Sequence, residues 1–216
     1  MKKLLVLGVL ISVLGLSSCK DRCESVKTGE VTLLDESRSF APYEEGESLT
    51  YVNAEGSEMV LELSRNHSLT DKNCVKYLCE LSTGPYEPVV CEYYNSESAQ
   101  NLYRIGDTII IDVLAYMSLY EEENTLFYDA LRVYMSGIGT LSSGEAVLAP
   151  RFTNPPFDEN QVYLLEELVF ENTVELQGQS YAGVWRTKTG ENMVWVKSGI
   201  GLLAFQLDGE LWVLQE

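Results

Sequence analysis

Apolar and polar residues alternate along this chain in short runs broken by glycine, proline and acidic clusters, and from Thr28 onward the rhythm is strand, turn, strand. Residues 48–53 (SLTYVN) and 57–64 (SEMVLELS) predict a hairpin around Ala54-Glu55-Gly56. Two further strands are predicted over 74–81 (CVKYLCEL) and 88–94 (PVVCEYY). Residues 107–117 (DTIIIDVLAYM) are apolar at odd and even positions, which predicts a central strand covered on both faces. Residues 125–135 (TLFYDALRVYM) carry the β-branched and aromatic content of another strand, with Ala130-Leu131-Arg132 ambiguous between strand and helix. A proline-rich loop follows over 149–160, and 158–168 (DENQVYLLEEL) fits a short helix capped at Asp158 or one more strand.

The last third has the clearest punctuation. Residues 180–188, 192–198, 201–206 and 210–215 are strands parted by Thr189-Gly190-Glu191, by a Gly199-Ile200-Gly201 bend and by Asp208-Gly209. Asp-Gly is a strong two-residue hairpin signal; it sets Leu207 opposite Glu210 and Phe205 opposite Trp212. A three-residue turn at Thr189–Glu191 sets Trp185 opposite Trp195. The pattern predicts an all-β fold with at most one short helix, a curved antiparallel sheet or half-open barrel in a single domain over 40–216.

The N-terminus differs in kind. Lys2 and Lys3 precede an apolar run, Leu4–Leu16, and then Ser17 and Ser18, the layout of an export signal over 1–18. The run makes roughly 20 Å of helix against a hydrocarbon core of about 30 Å, too short to span. Leu16-Ser17-Ser18-Cys19 resembles the lipobox of bacterial lipoproteins. The resemblance implies that the Cys19 thiol is lipidated, that cleavage falls before it, and that the chain is held to a membrane by N-terminal acyl chains. Residues 19–39 are then the lipidated cysteine and a tether. Lys20 stands where an aspartate would retain such a protein at the inner membrane in enteric bacteria, so the outer membrane is the expected address. Cys19-Lys20-Asp21 with Glu24 is similar to a surface-export tag of Bacteroidota lipoproteins, interrupted by Arg22. Both the periplasmic leaflet and the cell surface therefore stay open.

Charge and cysteines narrow the chemistry. A formal charge of −18, with 33 acidic against 15 basic residues, lacks the basic footprint of a nucleic-acid binder. No calcium-loop spacing appears, and no metal or cofactor is expected. Beside Cys19 the chain has Cys23, Cys74, Cys79 and Cys91, which suits two disulfides in an oxidising compartment with three connectivities open. Cys79–Cys91 across a hairpin, with Cys23–Cys74 stapling the tether, is the favoured arrangement.

Catalytic sets are hard to assemble. His67 is the single histidine, in a polar stretch (SRNHSLTD) that reads as a loop, and no G-x-S-x-G elbow accompanies it. A glycan hydrolase needs only two carboxylates, so an enzyme is neither built nor excluded. Trp185, Trp195 and Trp212 are candidates for an aromatic ligand surface, though burial in a β core is the commoner fate of such residues.

The C-terminal segment from Glu171 resembles the ending of uncharacterised Bacteroidota envelope lipoproteins, through Gly178, Tyr181, Val184, Trp185, Trp195, Gly199, Gly201, Leu202, Phe205 and Trp212. Pro42, Gly46, Tyr51 and Gly56 resemble the opening of the same families. These are framework positions, and the resemblance implies no catalytic residues. The lipobox, the acidic balance, the cysteine count and the lack of a catalytic set together point to a non-catalytic, outer-membrane-anchored lipoprotein that binds a glycan, a lipid or an envelope protein, or serves a structural role. The alternatives are a lipid or lipoprotein carrier with a concave apolar sheet, and a glycan-active surface enzyme.

Overall fold

The computed structural model describes residues 24–77, 90–121, 125–137, 140–150, 167–188 and 191–215. Its elements are β1 (Val26–Val31), α1 (Asp35–Arg38), β2 (Ser48–Val52), β3 (Glu58–Tyr77), β4 (Cys91–Ile105), β5 (Ile109–Glu121), β6 (Thr125–Gly137) and β7 (Thr140–Pro150). They continue with β8 (Val169–Leu176), β9 (Gln179–Arg186), β10 (Met193–Lys197), β11 (Gly201–Leu207) and β12 (Glu210–Leu214). All strands join one sheet, ordered β7-β6-β5-β4-β3-β2-β12-β11-β10-β9-β8, with β1 added in parallel to β4. Every other named strand pair is antiparallel, and the all-β reading holds.

The sheet curls until its two edges nearly meet. Glu145 of β7 bridges Glu167, just before β8, and the Leu168 N–H donates to the Glu145 carbonyl at 2.9 Å. Inside, Ser142 Oγ donates to Thr187 Oγ1 at 2.7 Å. Among the described residues no ladder joins β7 to β8, and the sheet they form is not closed into a barrel.

Inner-face side chains from both halves fill the concavity. Leu61, Tyr103, Ile111, Val113, Leu131, Val133 and Met135 meet Val194, Val196, Leu202, Phe205 and Trp212 in one buried cluster. Tyr51 joins them, its ring 5.2 Å from Phe205 and its hydroxyl donating to the Leu202 carbonyl at 2.7 Å. That bond satisfies the one polar atom of a side chain that burial otherwise favours, while burial pushes the phenol pKa well up. Leu33, Phe40 and Ala41, flanking α1, pack into the same cluster from the N-terminal segment.

A second layer forms locally. Near Gly183 (φ +67) β9 turns away from β10, and only Val184, Trp185 and Arg186 stay paired with it. The β8–β9 tip folds over the outer face of β10–β12, where Gln177 Nε2 donates to the carbonyls of Val52 at 3.0 Å and Leu211 at 3.1 Å. Leu176, Tyr181, Val184, Trp195, Leu203 and Val213 are buried beneath.

Several expectations need correction. The strand read over 57–64 and the start of the one read over 74–81 are a single 20-residue strand, β3, because its polar centre pairs with the equally polar centre of β4; residues 78–81 lie outside the described residues. His67 therefore lies in a strand, opposite Gln100, and not in a loop. Trp195 pairs with Arg186 and Trp185 with Val196, one residue away from the predicted register, and the Thr187 N–H, donating to the Val194 carbonyl, holds the same offset toward the turn. The Asp208-Gly209 hairpin has its predicted register. β5 is central and flanked on both sides, yet only its inner face is fully buried; Ile110, Asp112, Leu114 and Tyr116 are half-buried. The tether expected up to residue 39 is folded from Val26, and the one short helix among the described residues is α1. Residues 151–166, with the proline-rich loop and the helix expected at Asp158, lie outside the described residues.

Candidate functional site

Strand alternation builds a polar face on β5, β6 and β7. Because Ile111, Val113, Leu131, Val133 and Met135 point inward, their neighbours Asp112, Leu114, Arg132 and Tyr134 point outward. The ladders align these in rows: Asp112 opposite Tyr134 opposite Ser143, then Leu114 opposite Arg132 opposite Glu145, then Tyr116 opposite Ala130 opposite Val147. Asp112, Arg132, Tyr134, Ser143, Gly144 and Glu145 line a depression of 410 Å³. That lies within the roughly 300–1,000 Å³ of small-ligand sites.

The side chains are differently held. Gln100 Nε2 donates to both Asp112 oxygens, at 2.8 and 2.9 Å, which fixes the carboxylate as an oriented acceptor. The Arg132 guanidinium carbon lies 5.8 Å from the Tyr116 ring centroid, a cation–π contact that leaves an exposed fork of donors. Tyr134 is 39% exposed, whereas Glu145 is 9% exposed. The apolar third row, where Ala130 is buried, forms the neighbouring floor together with buried Tyr128 beyond it.

The predicted site residues fall elsewhere. Cys19, Cys23 and Cys79 lie outside the described residues. The favoured pairings, Cys79–Cys91 and Cys23–Cys74, are overturned by a Cys74–Cys91 disulfide with Cα atoms 5.6 Å apart. The cause is the continuous β3: Cys74 faces Tyr93 and Tyr77 faces Cys91, and an irregularity between them brings the two sulfurs together. The tryptophans do not share an open surface. Trp212 is in the inner cluster, Trp195 is under the β8–β9 tip, and Trp185 is half-buried with its ring 4.9 Å from Phe170.

Among the described residues no three His, Cys, Asp or Glu side chains are grouped to hold a metal ion. None of their helices is long and apolar enough to cross a membrane. Sequence reading passed over Asp112, Arg132 and Glu145 as members of a site. The available signal was a charged residue inside an otherwise apolar strand, as in IIIDVL and ALRVYM.

The N-terminal segment is fixed to the sheet near the disulfide. The Cys91 N–H donates to Ser25 Oγ at 3.3 Å, and Lys72 Nζ to the same oxygen at 2.9 Å. Comparison with protein-family models, curated proteins and solved structures finds no match to this chain.

Proposed function

We propose that this chain is an outer-membrane lipoprotein, anchored through Cys19, whose β domain is a non-catalytic binding component of the envelope and presents the β5–β7 depression to a small polar ligand. The observation that carries the binding reading is the depression: Asp112, Arg132, Tyr134, Ser143 and Glu145 converge on one 410 Å³ hollow from three adjacent strands. The lipobox and export signal support the anchoring, and the acidic balance argues against nucleic acid as a partner.

A lipid carrier is less well supported. The concave face it requires is occupied by Tyr51, Tyr103, Phe205 and Trp212 from the sheet and by Leu33 and Phe40 from the N-terminal segment. Chain geometry also favours a water-borne ligand. Ser25 sits six residues after Cys19, a reach of at most about 20 Å. Asp112 pairs with Leu102, eleven residues along β4 from Cys91 and so roughly 36 Å from the anchored end.

A glycan-active enzyme is the second reading, favoured by the two carboxylates, Asp112 and Glu145, in one hollow. Turnover of a glycan that vanished in both Asp112→Asn and Glu145→Gln would establish it. Radiolabelled palmitate in growing cells tests the anchoring: it should enter the wild-type protein and be absent from Cys19→Ala. An unlabelled wild-type protein would overturn the lipoprotein reading.

A further inference from the structure

We infer that the β5–β7 depression takes a neutral, polyhydroxylated ligand of the size of one or two sugar units, an inference that rests on the binding reading above. Three other ligand classes fit its lining less well. An anion would meet Arg132, but also the carboxylates of Asp112 and Glu145 on a chain of formal charge −18. A cation would meet those carboxylates, but also the exposed Arg132 guanidinium. An apolar ligand would cover the exposed Arg132 guanidinium and take its charge out of water.

A polyol avoids these conflicts, because each hydroxyl both donates and accepts. Its donors match Asp112, which Gln100 holds in place through both carboxylate oxygens, and Glu145. Its acceptors match the guanidinium fork of Arg132, while Ser143 and the Tyr134 phenol serve in either sense. Members of one row are cross-strand neighbours about 5 Å apart, and successive rows lie two residues along the strands, about 7 Å apart, so acceptors and donors are spread over a span comparable to one or two sugar rings. The half-exposed Tyr134 ring offers an apolar face to the C–H side of such a ring. The chemistry is therefore that of a sugar with free hydroxyls, laid on one sheet face where polar groups flank a half-exposed aromatic ring.

Isothermal titration of the full chain tests this with maltose, cellobiose and lactose as neutral probes. Glucuronate, glucosamine and octanoate serve as anionic, cationic and apolar probes. The expected result is binding of at least one neutral disaccharide with Kd at or below about 1 mM. Arg132→Ala and Tyr134→Ala should each weaken it about tenfold or more while leaving the thermal midpoint within a few degrees, which separates ligand contact from misfolding. Binding that is undiminished in both variants would overturn the placement at this depression. Should a charged or apolar probe bind instead, with loss in the same variants, the binding site stands and the sugar assignment falls. No binding by any of the six probes overturns the sugar assignment and the small-ligand reading together, while palmitate labelling reports separately on the anchor.

Discussion

Glu97 grips Arg38 with both carboxylate oxygens: Arg38 Nε reaches Oε1 at 2.8 Å and Nη2 reaches Oε2 at 2.8 Å. The pair closes a branch in the sheet. The first half of β4 pairs with β1, its second half with β5, and Glu97 stands between Ser96, opposite Val31, and Ser98, opposite Tyr116. The same carboxylate accepts the Leu33 N–H at 3.1 Å, and Asp129 accepts the Leu34 N–H at 2.9 Å. Two acidic residues on the sheet thus fasten the segment that carries Leu33 and Phe40 into the core.

Loss of that grip should loosen the N-terminal segment in a pH-dependent way. The hydrogen bond from Arg38 is the main cause holding the Glu97 carboxyl below its ordinary value of 4.5. A lowered folded-state pKa means that the unfolded chain binds the proton first. The stabilisation is therefore complete above 4.5 and disappears as pH falls through the lower folded-state value. Glu97→Gln is expected to cost about 1–2 kcal/mol at neutral pH, held down by solvent screening at the partly exposed Arg38. Urea denaturation as a function of pH checks it: wild type should lose stability on acidification more steeply than the variant.

The disulfide makes a prediction that needs no ligand. Peptide mapping without reduction should recover Cys74 linked to Cys91, and neither joined to Cys79 or Cys23. Cys91→Ser should destabilise the chain by about 3 kcal/mol, the scale expected for a cross-link spanning 17 residues. A linked peptide containing Cys79 and Cys91 would contradict the continuous β3.

Gly201 is where chain entry and sheet crowd together. Its φ is +73, and a Cβ there would stand 3.0 Å from Pro42 Cδ and Tyr103 Oη and 3.3 Å from the Phe40 carbonyl. Gly209 has a similar φ, +85, with nothing within 4 Å. Gly209→Ala should therefore cost about 1 kcal/mol through backbone strain alone, and Gly201→Ala about 2–4 kcal/mol through strain plus displacement of Pro42. Paired thermal denaturation of the two variants distinguishes these outcomes.

What could be read in the sequence was the local chemistry. Asp208-Gly209 and Ala54-Glu55-Gly56 fix their hairpins within a few residues, and both turns form as expected. The long pairings were not legible, because β3 and β4 join two polar stretches, SRNHSLTDKN and YNSESAQN, that resemble solvated loops until one is laid against the other. Ser96, Ser98, Asn101 and Asp129 are buried with them, a fate composition does not announce. Arg38 and Glu97 are 59 residues apart, and nothing local links them. The depression suffers the same difficulty, since Asp112, Arg132 and Glu145 are three charges among many until β5, β6 and β7 align.

The proposed binding surface is the outer face of β5–β7, not the filled interior. Hydrogen exchange on the full chain, with and without a neutral disaccharide at saturating concentration, distinguishes the two. Added protection should appear over Ile109–Glu121, Thr125–Gly137 and Thr140–Pro150, with β10–β12 unchanged. Protection centred on β2, β11 and β12, or none anywhere, would rule that surface out.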